Sequence, residues 1–162
     1  MAGSAPGGAL AATAPGRGAW RLRREGDALY FESGLGMALL VGAGGFLGSI
    51  LRYAASGLVH RQLPFATFPF GTLVVNVLGC LLIGVFTGLA ESRQLFGPQL
   101  RMFVLVGVLG GFTTFSTFGY EVFALARDGE HLRAVANALA HLGAGLASVW
   151  LGHALASSAV AA

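Results

Sequence analysis

The sequence is poor in charge, contains no lysine and holds a single cysteine, and each shortage excludes something. Only 10% of its 162 residues are charged and 55% are hydrophobic. A soluble domain carries about 25% charge, so this composition suits lipid and not water. All positive side-chain charge rests on ten arginines, and the formal net charge is +3. Most of them gather in an N-terminal arm and between apolar runs, where they act as topology signals and headgroup contacts; nucleic-acid binding is not expected. Cys80, alone and inside an apolar run, cannot form an intrachain disulfide. Paired carboxylates at helical spacing, a Cys/His metal cluster, a nucleophile elbow and a phosphate loop are all missing, which argues against an enzyme.

What is present divides into an arm and four apolar runs. Residues 1–33 form the arm. Met1 to Ala19 is Ala, Gly, Pro, Ser and Thr with one arginine, too little apolar surface to offset the entropy of ordering, so disorder is expected there. Arg21, Arg23 and Arg24 follow, flanked by Trp20 and Tyr30, which suits a segment at the headgroup level and does not match the order of a signal peptide. A spanning helix needs about 20 apolar residues. Residues 34–157 supply four, at about 34–59, 70–90, 101–126 and 133–157, with a short tail at 158–162. Pro64 and Pro69, then Gly97 and Pro98, then Arg127-Asp128-Gly129-Glu130 punctuate them. An all-α membrane protein of one domain follows. Gly44/Gly48, Gly84/Gly88, Gly107/Gly111 and Ala140/Ala144 recur at four-residue spacing and predict close helix contacts. Apart from the arm, the loop arginines divide as Arg93 and Arg101 on one side against Arg61, Arg127 and Arg133 on the other, so the core has almost no preferred orientation.

Function then has to come from polar groups inside apolar helices, which face a bundle interior or a water-filled path. Asn76 lies mid-span with Thr72 one turn before it, and its amide can donate to an anion or join two helices. In the third span, Gly110-Gly111 followed by Thr113-Thr114 predicts a broken helix whose freed carbonyls need a cation or water. Phe115 and Phe118 share a face beyond it, with Ser116 and Thr117 between them. Such a pair is either core packing or two positive ring edges that can meet an anion. Arg52 and Glu121 are the formal charges within spans; Arg52 either snorkels or gathers anions in a vestibule, and Glu121 sits near its span's end. His141, in the fourth span, is a structural partner or an ion donor.

Gly44-Gly45-Phe46-Leu47-Gly48 with Arg52-Tyr53, Gly71-Thr72-Leu73 with Asn76 and Gly79, and Gly110-Gly111-Phe112-Thr113-Thr114-Phe115-Ser116-Thr117-Phe118 with Glu121 together resemble the Fluc (CrcB-like) fluoride channels. The resemblance covers about residues 34–157. It implies an antiparallel, dual-topology homodimer in the bacterial plasma (inner) membrane, surrounded by lipid, passing fluoride out of the cytoplasm and relieving fluoride toxicity. It further implies one structural sodium ion at the broken third helices. By motif position Asn76, Phe115, Phe118, Ser116, Thr117 and Thr72 would line the fluoride pathway. Gly110 and Thr113 would offer backbone carbonyls to sodium, Arg52 would stand at the vestibule, and Glu121 near the pathway's end. Two positions depart from the family: Gly119 replaces a common serine, and His141 falls near another. His141 could supply a donor of its own, and a pH response if its charge changes in the working range. The alternative is a small dual-topology secondary transporter, but such exporters rely on a glutamate in the first span and none lies between Gly34 and Val59.

Overall fold

The computed structural model describes residues 24–93 and 97–161. The expected disorder of Met1 to Ala19 therefore lies outside the described residues. The chain divides into two units, Met1–Leu35 and Gly36–Ala162. In the first, the described part is helical from Arg24 onward, so the last residues assigned to the arm already belong to a helix. All that follows concerns the second unit.

Helix α1 (Arg24–Gln62) is followed by α2 (Phe70–Arg93), the two separated by a loop in which Pro69 supplies a carbonyl to Leu73 N–H at 3.3 Å. The third segment begins with α3 (residues 98–112), made of one α-turn Pro98–Arg101, wider i+5 turns over Met102–Leu109, and Gly110–Phe112. It resumes as α4 (Phe115–Arg127) and leads to α5 (His131–Ala161). Pro98 at the first turn costs no hydrogen bond, because that N–H has no partner in a helix anyway. At the other end Gly129 takes φ +83°, and Glu130 N–H reaches back to the Leu125 carbonyl at 2.8 Å, closing α4 as a left-handed glycine does. Four segments are long and apolar enough to cross a membrane: Gly34–Gln62, Phe70–Ala90, Pro98–Arg127 and His131–Ala159. The described residues are otherwise turns and loops, with no strand among them. The expected four-helix, all-α architecture is what is seen.

Small residues set the contacts. A Cβ on Gly44 would come within 2.6 Å of the Phe103 carbonyl and 2.9 Å of Gly107 Cα, so α1 and α3 touch backbone to backbone. Gly111 meets Gly45 in the same way, and Gly48 faces the Val108 carbonyl. On the other side α2 lies along α5, with Gly88 against His153 and Ala156, and Gly84 and Gly152 against Val149 and Leu81. Gly152 took no part in the predicted pairs, and Ala144 of the fourth pair is exposed on α5. Among the described residues the buried side chains are few: Val75, Ala90, Leu109, Phe112, Ala134, Ala156 and the polar Thr72 and Asn137. Phe46, Leu51, Leu139, Leu146 and Trp150 point outward, as apolar residues can when the surrounding solvent is hydrocarbon.

The third segment is broken as expected, at the two threonines that follow the glycines. Gly110 and Gly111 are helical, and the extended residues are Thr113 (φ −84°, ψ 161°) and Thr114 (φ −151°, ψ 112°). Gly111 is needed for its missing side chain, since a Cβ there would lie 2.5 Å from the Gly45 carbonyl. The threonines carry out the break itself. Thr113 N–H and Oγ1–H both donate to the Leu109 carbonyl, at 3.0 and 2.9 Å, ending the first half. Thr114 Oγ1 accepts from Thr117 N–H at 3.2 Å, starting the second as its N-cap.

Candidate functional site

The site forms around this break, where α1 and α2 each send one polar side chain. Asn76, from the middle of α2, accepts from Thr114 N–H at 2.8 Å and donates to the Thr114 carbonyl at 3.1 Å. The interhelical bond considered for Asn76 is therefore present, and it uses one of the amide's two N–H groups. Arg52, half-buried on α1, donates to the Thr113 carbonyl at 3.3 Å. It reaches the break and does not line either cleft described below.

A cleft of about 320 Å³ opens beside the break, bounded by Asn76, Thr113, Thr114, Phe115, Phe118 and His141, with Gly79, Cys80, Gly110 and the apolar Ile83, Leu105, Leu109 and Leu142 completing its wall. Phe115 is 79% exposed. Its ring meets Phe118 edge-on, 5.4 Å apart at 60°, and Phe118 continues to the His141 ring at 4.4 Å. The two phenylalanines are thus a lining and not core. Ser116 and Thr117 are exposed on the first turn of α4. Thr117 Oγ1 accepts from Thr114 Oγ1 at 2.9 Å, and the Ser116 hydroxyl lies 3.3 Å from Thr114 Oγ1. Gly119 is open on every side, so the absent serine leaves space.

One turn further along α4 is a second polar group. The Thr72 hydroxyl donates to a carboxylate oxygen of Glu121, joining α2 to α4. Asn137 and His141 of α5 lie close to the same carboxylate. Asn137 is fully buried, yet its amide oxygen and nitrogen, the second Glu121 oxygen and His141 Nε2 make no hydrogen bond among the described residues. Buried polar atoms are ordinarily paired, so these four atoms of three neighbouring residues are an unusual concentration of unpaired groups. His141 Nδ1 lies 3.0 Å from the Asn137 carbonyl, which leaves Nε2 as the ring nitrogen without a hydrogen-bond partner among the described residues. Thr72 and Glu121 also line a larger cleft of about 960 Å³, with Tyr53, Ser56, His60, Arg61, Tyr120 and Asp128 around its mouth. His141 lines the smaller cleft, Glu121 the larger one, and the two lie side by side. Asn76, Phe115, Phe118 and His141 thus gather at the smaller cleft and Thr72 and Glu121 at the larger one, while Asn137, close to Glu121, lines neither.

Residues 39–153 match the family described as CrcB-like protein, Camphor Resistance (CrcB). The chain belongs to this CrcB-like family. Among its relatives, a fluoride-specific ion channel FluC from Opitutus terrae is 49% identical over 121 residues, covering 74% of this chain and 91% of that protein. A fluoride-specific ion channel FluC from Nitratidesulfovibrio vulgaris is 46% identical over 114 residues, covering 70% and 91%. The archaeal FluC 1 of Methanosarcina acetivorans is 41% identical, covering 70% and 86%. Arg52, Thr72, Asn76, the break, Phe115, Phe118, Glu121, Asn137 and His141 all fall inside the residues that match the CrcB-like family, and the arm falls outside them.

Asn137 was not among the residues singled out from the sequence, and Thr114 was read only as part of the break. Asn137 had a signal: an amide in an uncharged run, one helical turn before His141. The capping role of Thr114 had only its place after Thr113.

Proposed function

We propose that the chain is a fluoride-selective channel that lets fluoride leave the cytoplasm passively, across a bacterial plasma membrane, and so limits fluoride toxicity. The observation that carries this reading is the smaller cleft, where the Asn76 amide, the Phe115 and Phe118 rings and His141 meet with no arginine in the lining. Fluoride is small and strongly hydrated, and stripping it into a low-dielectric medium costs on the order of tens of kcal/mol. Replacement donors must therefore line the path, but none can bind so tightly that the ion stays. The free N–H of Asn76, the ring edges of Phe115 and Phe118, and the hydroxyls of Ser116 and Thr117 meet both demands, while Thr72 gives its one O–H to Glu121. Glu121 bears the wrong charge for an anion, and its hydrogen bond to Thr72 holds one oxygen away from the path. The FluC names of the relatives supply the identity of the ion.

A structural sodium ion fits the break. Extended backbone at Thr113 and Thr114 turns carbonyls out of the helix, and neutral oxygens of unwound helices suit a hard monovalent cation. Gly110 and Thr113 would hold it, and its positive charge would tie two third segments together. That second copy lies antiparallel in this reading, supported by the near balance of loop arginines, of which Arg127 and Arg133 are paired with Asp128 and Glu130 at 2.9 and 3.1 Å.

The test is growth. In bacteria made fluoride-sensitive by loss of their own exporter, expression of this chain restores growth in fluoride; membrane-inserted protein that gives no protection contradicts the proposal.

A further inference from the structure

Asn76 does more at the break than present an N–H to the cleft. In a continuous α-helix the Thr114 N–H would donate to the Gly110 carbonyl, four residues earlier. Here that N–H points to Asn76 Oδ1 at 2.8 Å, while Asn76 Nδ2 donates to the Thr114 carbonyl at 3.1 Å. One side-chain amide thus engages both backbone groups of a single residue, as a neighbouring strand would, and Thr114 has the extended angles that this pairing needs. The orientation of the amide follows from its partners, because only the oxygen can accept from an N–H. Thr113 cannot refill the gap: its own N–H and hydroxyl are both committed to the Leu109 carbonyl. The Gly110 carbonyl is left without its helical donor, and Arg52 steadies the next freed carbonyl, that of Thr113, at 3.3 Å.

We propose that Asn76 is the positioning residue that holds the third helix open, so that the anion cleft and the carbonyls offered to the cation depend on one side chain. For the identity of the cation this rests on the sodium reading given above; the wedge itself does not. Both Oδ1 and Nδ2 are needed to clasp Thr114, and of the two the oxygen matters more, because it alone competes with Gly110 for the N–H. Asn76→Ala removes both bonds and lets Thr114 N–H return to Gly110. Asn76→Asp keeps the acceptor and sets a second oxygen against the Thr114 carbonyl, so the break persists while the donor to the cleft is lost.

The experiment uses full-length protein carrying ¹³C-threonine, in lipid bilayers, read by solid-state NMR. Thr113-Thr114 is the one adjacent threonine pair in the sequence, so its cross-peak assigns itself, and carbon shifts separate extended from helical backbone. Wild-type Thr114 gives extended shifts, Asn76→Asp keeps them, and Asn76→Ala moves Thr114 to helical values. A helical Thr114 in the wild type, or an extended one in Asn76→Ala, overturns the proposal. Should the alanine variant not yield monodisperse protein, the wild type and Asn76→Asp still decide it, since closure of the helix in Asn76→Asp also overturns it. In parallel, sodium is exchanged for N-methylglucamine. The wild type loses thermal stability and Asn76→Ala shows no sodium effect. If the wild type itself is indifferent to sodium, the sodium reading fails while the threonine shifts still judge the wedge.

Discussion

Gly44→Ala is the change whose consequence follows most directly from the helix contacts. A methyl group at this position would sit 2.6 Å from the Phe103 carbonyl oxygen, 2.9 Å from Gly107 Cα and 3.0 Å from Val108 N, all backbone atoms that cannot rotate away. Heavy atoms prefer about 3.5–4.0 Å, so α1 and α3 must separate by roughly an ångström along this turn. Forcing extra methyl groups into a packed contact costs about 1–3 kcal/mol, or about 5- to 150-fold in the ratio of folded to unfolded protein. Separation would also pull Gly45 from Gly111, next to the break. Gly42→Ala is the matched control, two residues away on the same helix, where a Cβ meets nothing within 4 Å. Purified variants would be titrated with SDS against a constant mild detergent, following helix content by circular dichroism. Gly44→Ala should unfold at a clearly lower SDS fraction than Gly42→Ala. Equal midpoints would refute the close α1–α3 contact and the reasoning built on it.

Other consequences can be checked in the same preparations. Thr114→Ala deletes the N-cap of α4 and its bonds to Thr117; stability should fall by about 1 kcal/mol in the same SDS titration. Phe118→Leu removes the ring that touches both Phe115 and His141, and ring pairs of this kind contribute about 0.5–1.5 kcal/mol. Fluoride flux should drop by about 2- to 10-fold, with flux unchanged counting against a ring-lined path. Asn137→Leu replaces a fully buried amide that has no hydrogen-bond partner. The protein should become no less stable, and by up to about 1 kcal/mol more so, yet lose most of its flux. A loss of stability would show that the amide serves packing.

The parts that were legible in the sequence are those governed by local composition. Uncharged runs of spanning length and the Arg127-Asp128-Gly129-Glu130 stop are read one segment at a time, and Gly129 takes the left-handed angle that such a stop requires. Three of the small-residue pairs, those at Gly44, Gly84 and Gly107, lie at real contacts. Of the fourth pair, Ala144 is exposed on α5, while Gly152 of the same helix makes a contact with α2 that the spacing did not single out. The broken helix was legible over Gly110 to Thr114, but not which of those residues leave the helix. Propensity makes glycine the weakest helix former, but propensity says nothing about neighbours. Packing against Gly45 keeps Gly111 helical, and the bonds from Asn76 open the chain at Thr114. Asn137 escaped notice for a related reason: an amide's burial and its distance from Glu121 come from three helices meeting, which periodicity along one helix does not encode.

The central claim, a selective and passive path for fluoride, is tested most directly in liposomes holding purified protein, loaded with both fluoride and chloride and followed with two ion electrodes. Once a potassium ionophore removes the voltage, fluoride should run out fast with chloride retained, and an imposed proton gradient should not be required. Chloride leaving alongside fluoride, fluoride efflux only with a proton gradient, or no efflux at all would contradict the account.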